Sequence, residues 1–266
     1  MPGPKNAAAV LQSEDPLDFL ELVLTDELLE MIVEETNRYA LQTIPTVKNT
    51  KEARVRNWYP VDLEELKTFF GLVFLSGVIH KPEIDMNWST DEVYETPYFG
   101  KCMSRNRFQI ILRFLHCADN QTADKTDKMY KVKPVSDYLI AKFKELYQPD
   151  EQISIDEGTL MWRGRLSFKV YNPQKPIRYG IKSYILAESK TGYCYNLRAY
   201  CGDHSSLADT VLGLLGDLEG QGYKLFMDNF YQRQGQSFSS RTHAHACMHG
   251  ITRTHCICTV CYGNYL

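Results

Sequence analysis

The sequence predicts an α+β protein, a helical first half followed by a mixed α/β sheet. Three observations predict it. Up to Pro149 the apolar residues recur at helical spacing. After Pro149 they alternate, as in "QISIDEGTLMW" and "LSFKVYN". The strand-like runs then continue around one more helical segment, giving the order strand, strand, strand, helix, strand.

In the helical half, Thr25 followed by Asp26 and Glu27 caps a helix in which Leu28, Leu29, Ile32, Val33 and Thr36 keep the period to about Ala40. Asp62 with Glu65 is a capping-box pattern opening a second helix, with Leu66, Phe69, Phe70, Val73 and Phe74 expected to face a core. Ser104 opens a third, in which Phe108, Ile111, Leu112 and Leu115 form the apolar stripe. The polar linker "DNQTADKTDKMYKV" leads to a fourth helix near Val135–Tyr147. Beyond Pro149, "IKSYILAES" and "YCYNLRAY" are strand-like runs joined by "KTG". A helix is expected over Ser206–Glu219, and Gly220 and Gly222 precede a strand, Tyr223–Met227, that delivers Asp228. Three strands, a helix and a fourth strand are the opening of a ribonuclease-H-like sheet and are compatible with other mixed α/β layouts.

The chain has 266 residues, 44% hydrophobic and 24% charged, which suits one or two globular domains with a sizeable core. Charge is unevenly spread. Residues 1–150 carry 24 acids and 18 bases (24 − 18, net −6), and residues 151–266 carry 9 acids and 12 bases (12 − 9, net +3). A nucleic-acid surface is therefore to be sought in the second half. The longest apolar run, Phe69–Ile79, is too short for a bilayer and reads as a buried helix, and the N-terminus lacks a signal-peptide pattern. A soluble intracellular protein with free thiols is expected.

Asp156, read as ending the first strand, and Asp228, ending the fourth, emerge at one sheet edge if those strands are neighbours. Two carboxylates that close suit Mg²⁺ or Mn²⁺, and a two-ion site activates a water or 3′-hydroxyl at phosphorus. Independent strand-end caps are the alternative reading. Glu157 points to the opposite face of the strand. Between Glu157 and Glu188 there is no acid, while Arg163, Arg165, Lys169, Lys175, Arg178 and Lys182 interleave with Trp162, Phe168, Tyr171 and Tyr179. Such a stretch suits phosphate-backbone binding, with rings free to stack on distorted or unpaired bases. A solvated basic face is the alternative.

"ISIDEGTLMWRGR", "YNPQKPIRYGIKSYIL" and "FMDNFY", together with "FFGLVFLSGVIHKPEIDMNWSTD" and "TPYFGKCMSRNRFQIILRFLHCADN", resemble the piggyBac transposases and the host proteins derived from them. The resemblance runs from about Asp18 to Tyr231. It implies a metal-dependent (Mg²⁺ or Mn²⁺) DDD transposase with a ribonuclease-H-like catalytic domain, cutting element ends, joining DNA at TTAA targets and acting in the nucleus. On this resemblance Asp156 is the first catalytic acid and metal ligand and Asp228 the second. Arg163, Arg165, Lys175 and Lys182 match basic positions, and with Arg178 they are the candidate DNA contacts.

The family's third acid lies downstream of the second, where this chain has no Asp or Glu at all, and the family's Cys-rich zinc-binding domain has no counterpart. The resemblance therefore implies a DNA-binding protein without strand transfer, alone or as a homodimer or a heterodimer with a longer relative, and with no membrane partner. An active transposase completed by a partner, or a non-catalytic dimerisation protein, is the alternative. The expected organisation is a disordered N-terminus (1–16), a helical dimerisation and DNA-binding region (17–150), a partial ribonuclease-H-like domain (151–231) and a divergent, disordered tail (232–266). In that tail His243, His245, Cys247, His249, His255, Cys256, Cys258 and Cys261 lack clean zinc spacing, so zinc is not expected. Alternating His, Thr, Ala, Cys, Val and Met instead reads as a translated CA/TG repeat.

Overall fold

The computed structural model describes residues 1–6, 12–46, 54–202 and 206–228. The expectations for the His- and Cys-rich tail lie outside these residues. The chain divides into two compact units, Leu24–Tyr138 and Met1–Val23 with Leu139–Leu266.

Outside the first of these, helix α1 (Pro16–Glu21) begins at Asp15, whose carboxylate accepts from the Leu17 amide at 2.9 Å. The Leu24–Tyr138 unit is helical. Helix α2 (Asp26–Thr43) starts at Thr25, whose hydroxyl accepts the Leu28 amide, and buries Leu28, Leu29, Ile32, Thr36 and Ala40. Helix α3 (Leu63–Val78) starts at Asp62, which accepts the Glu65 amide at 2.8 Å. Helices α4 (Pro97–Cys102) and α5 (Arg105–Phe114) follow, the latter capped by Ser104. Each such cap is worth about 1 kcal/mol, because it satisfies an amide that the helix itself leaves unpaired. Helix α6 (Lys133–Leu146) comes after the polar linker.

Two stripes differ from expectation. In α3 Leu66, Phe69 and Leu72 are buried while Phe74 is half exposed, and in α5 the buried face is Phe108, Ile111 and Phe114, with Leu112 turned outward. The reason is aromatic packing. Phe69 and Trp88 each lie 4.8 Å from Phe108, and Trp58 meets Phe114 edge-on at 4.9 Å, which fixes the rotation of α5 about those rings. Arg107 enters the same layer. Its guanidinium lies 3.5 Å from the Tyr59 ring centroid and donates to both Glu65 oxygens and to the Tyr59 carbonyl, so the buried charge is paired and hydrogen-bonded.

The other described unit is built on a mixed sheet. Strand β1 (Gly3–Pro4) pairs antiparallel with β2 (Tyr147–Gln148). Strands β3 (Gln152–Met161), β4 (Val170–Tyr171), β5 (Tyr179–Glu188), β6 (Cys194–Ala199) and β7 (Lys224–Met227) form the main sheet, with β5 flanked by β3, β4 and β6, and β7 parallel to β3. Asp156 therefore does not end its strand, as sequence suggested. It sits mid-strand, and β3 runs on through Gly158, where an added Cβ would meet the Ile185 side chain at 2.6 Å. A similar close approach at Gly180, whose Cβ would meet the Leu160 carbonyl at 2.3 Å, keeps β3 and β5 together to their far end. "LSFKVYN" contributes only the two residues of β4.

Helix α7 (Leu207–Leu215), capped by Ser206, covers one sheet face. Val211, Leu214, Leu215 and Leu218 close over Ile153, Ile155, Leu186 and Tyr195, with Leu225 and Met227 alongside. At the base of this face Glu188, only 2% exposed, accepts from the Tyr147 hydroxyl at 2.9 Å, the Asp150 amide at 2.8 Å and the Thr191 hydroxyl. Burial by itself raises its pKa, but these hydrogen bonds outweigh burial and hold the carboxyl below its usual value. Its folded pKa being depressed, Glu188 contributes stability at pH values above the unfolded glutamate pKa, and this is lost as pH falls through the folded value. Thermal melts between pH 7 and pH 3 should show a shallower acid decline for Glu188→Gln than for the wild type; equal slopes would assign acid sensitivity elsewhere.

Candidate functional site

Parallel pairing of β3 and β7 sets the acids. Ile153 lies opposite Leu225 and Ile155 opposite Met227, so Asp156 and Asp228, one residue further along each chain, stand level. Neighbouring strands are about 4.8 Å apart, which brings the two carboxylates within reach of one cation. Side chains alternate along a strand. Since Ile153, Ile155, Leu225 and Met227 pack under α7, both acids project from the opposite face, and both are exposed. The Asp156 carboxylate accepts its neighbour's amide, Glu157 N–H, at 2.7 Å.

These are hard oxygen donors of the kind Mg²⁺ and Mn²⁺ take, with substrate phosphates and water completing the shell. Among the described residues no group of three or more His, Cys, Asp or Glu is placed to hold a metal, and the pair offers two carboxylates.

Glu157 projects from the α7 side, and there it meets the candidate cations. The Lys182 ammonium donates to its carboxylate at 2.7 Å, and Lys175 lies 4.0 Å from its other oxygen. Lys182 also sits 4.7 Å from the Tyr184 ring centroid. Burial acts to lower the Lys182 pKa, but the bond to Glu157 prevails and raises it. The structure thus separates the five candidate contacts. Lys175 and Lys182 are joined to Glu157, away from the acid pair, while Arg163, Arg165 and Arg178 are exposed on the segment between β3 and β5. Phe168 in that segment is buried, and Lys169 donates to the Gly164 carbonyl at 3.2 Å.

Two features escaped the sequence reading. One is the bond between Glu157 and Lys182, whose signal is the cross-strand adjacency of Glu157 with Tyr184 and of Thr159 with Lys182 once the β3–β5 register is known. The other is the row of aromatic rings at the far end of β3, which needs two registers at once.

Residues 15–254 match the family model described as "Transposase IS4", a span that continues past Tyr231. Over 207 residues the chain is 30% identical to human piggyBac transposable element-derived protein 2, covering 78% of this chain and 33% of that protein. It is 32% identical over 167 residues to human piggyBac transposable element-derived protein 3, covering 63% of this chain and 26% of that one. A piggyBac transposase synaptic complex with hairpin DNA, solved by cryo-EM, superposes with a TM-score of 0.67 at 25% identity, over 85% of this chain and 52% of that chain. The chain belongs to the piggyBac transposase family. It spans about a quarter to a third of the length of these two human piggyBac relatives and about half of the solved transposase chain. The mixed α+β architecture is that of the piggyBac transposase. Among the described residues no helix is long and apolar enough to cross a membrane.

The Glu157–Lys182 bond has a measurable signature. A raised folded pKa means that Lys182 contributes stability below its unfolded value of 10.5 and loses it as pH rises through the folded value. Glu157→Gln should cost about 1 kcal/mol in urea unfolding at pH 8, and this difference should shrink as pH rises past 10.5 and through the folded value. A difference that persists unchanged at alkaline pH would count against the ion pair.

Proposed function

We propose that this chain is a DNA-binding member of the piggyBac family. Its β3–β5 extension holds the phosphate backbone, and its Asp156–Asp228 pair is part of a divalent-metal site on a ribonuclease-H-like sheet. The observation that carries the reading is the acid-free stretch between Glu157 and Glu188, whose exposed residues lie beyond Asp156 on β3, β5 and the segment joining them. Arg163, Arg165 and Arg178 supply exposed guanidiniums for phosphate oxygens, and displaced counterions supply the driving force. Lys175 and Lys182, tied to Glu157, form a second row that reaches phosphate when that bond opens.

Mg²⁺ or Mn²⁺ on Asp156 and Asp228 would polarise a phosphoryl oxygen and lower the pKa of a bound water. The protein's own part is to hold two carboxylates level on an exposed face. Residues 229–266 contain no Asp or Glu, so that stretch supplies no third acidic ligand. In this reading the chain binds DNA without cutting it, as a homodimer or beside a longer relative, in the nucleus. The TTAA target preference is a further expectation of the family.

Fluorescence anisotropy with a duplex oligonucleotide at increasing NaCl tests the reading. Arg163→Ala and Arg165→Ala should each reduce the slope of log affinity against log salt by about 0.9, with Asp156→Ala leaving it unreduced. Salt-independent binding, or no binding to either duplex or single-stranded DNA, would overturn the DNA reading. In the same preparation, Mg²⁺-dependent nicking that disappears in Asp156→Ala would show that this polypeptide cuts DNA after all.

A further inference from the structure

Trp162, Tyr179 and Tyr171 form one cross-strand row. Met161 pairs with Gly180, and the Trp162 amide donates to the Tyr179 carbonyl at 3.3 Å, so the β3–β5 register continues by one residue and sets Trp162 beside Tyr179. On the other side of β5, Tyr171 pairs directly with Tyr179. Directly paired residues share a face, and the alternation along β3 gives Trp162 the same parity as Asp156. The row therefore stands on the sheet face that carries the acid pair.

All three rings are exposed, Trp162 at 43%, Tyr171 at 56% and Tyr179 at 50%. Tyr171 and Tyr179 stack at 4.6 Å with 28° between planes. The indole of Trp162 lies over Gly164, where an added Cβ would sit 2.8 Å from its Nε1. Glycine at 164 thus leaves room for the ring. Lys169 stands 5.7 Å from the Tyr179 ring centroid, and in the chain Arg163 adjoins Trp162 and Arg178 adjoins Tyr179.

Exposed aromatics in this number are costly to leave in water, and an apolar protein partner is one way of covering them. The surroundings favour another. The row lies inside a stretch of chain that carries six cations and no carboxylate. Flat rings set among cations match a ligand with π-faces strung on an anionic backbone.

We infer that the Trp162–Tyr179–Tyr171 row is a stacking platform for unpaired nucleic-acid bases. It makes this end of the sheet bind single-stranded DNA in preference to duplex. Paired and stacked bases in a duplex hide their faces, so the rings have nothing to stack on there, while the flanking cations serve both forms alike. The inference rests on the DNA-binding reading above and adds the form of DNA bound.

The test uses the full chain and two fluorescein-labelled probes, a 20-nucleotide oligo-dT and a 20-base-pair duplex. The triple variant Trp162→Ala/Tyr171→Ala/Tyr179→Ala should lose at least roughly tenfold in affinity for oligo-dT, the scale of one lost base–ring stack, and less than twofold for duplex. The companion Trp162→Phe/Tyr171→Phe/Tyr179→Phe keeps the π-faces and should retain oligo-dT binding, which separates stacking from a folding defect. Equal losses on both probes in the alanine variant, with the phenylalanine variant equally weak, would overturn the platform. So would undiminished oligo-dT binding in the alanine variant. Wild-type affinity for duplex with none for oligo-dT would remove this inference and leave the DNA-binding reading standing, whereas no affinity for either probe would remove both. Salt-insensitive capture of an apolar peptide at the row, with no response to oligo-dT, would assign the surface to a protein partner and overturn the inference.

Discussion

The parallel pairing of β3 with β7 is the constraint on which the acid pair depends. Parallel neighbours need a crossover connection, and here it passes through β5, β6 and α7 before the chain returns beside β3. The crossover helix also fixes the register. Its apolar side closes over Ile153, Ile155, Leu225 and Met227, and a slip of one residue in β7 would drive Asp228 into that apolar layer and expose Met227. The level placement of Asp156 and Asp228 is therefore a by-product of burying their neighbours. No direct attraction between the two acids is required.

The two ends of β3 are held by opposite means. At its start, Glu188 is sealed from water and binds the incoming segment at Asp150, the aromatic Tyr147 and the turn at Thr191. At its far end the strands are held by backbone pairing and by glycines that permit close approach, and Leu160, Met161, Trp162, Tyr171 and Tyr179 there are open to solvent. A buried carboxylate with three donors anchors the sheet, because leaving such a group unsatisfied is expensive. The opposite end is left to interact with whatever meets it.

Much of the local structure was legible in the sequence. Thr25, Asp62, Ser104 and Ser206 all cap helices, because capping depends on a hydroxyl or carboxylate within three residues of its amide. What could not be read was rotation and register. Ile111 and Leu112 are equally apolar, and only the rings of Phe69, Trp88 and Trp58 decide which of them faces inward. Asp156 read as a strand end, yet β3 runs on through Gly158, where an added Cβ would meet Ile185 at 2.6 Å. The identities of the two acids were visible in the sequence, whereas their common face is a property of the β3–β7 register. The aromatic row needs two registers, β3 with β5 and β4 with β5, and no local pattern encodes both.

The uninterrupted length of β3 has a metric consequence. From Asp156 to Trp162 is six residues of extended chain, about 20 Å at the usual strand rise. One strand of duplex DNA advances by about 3.4 Å per nucleotide, so this distance corresponds to about six nucleotides. Trp162 directly follows Met161, the last residue of β3, so no loop separates it from Asp156. The carboxylates and the rings thus stand about 20 Å apart along the sheet.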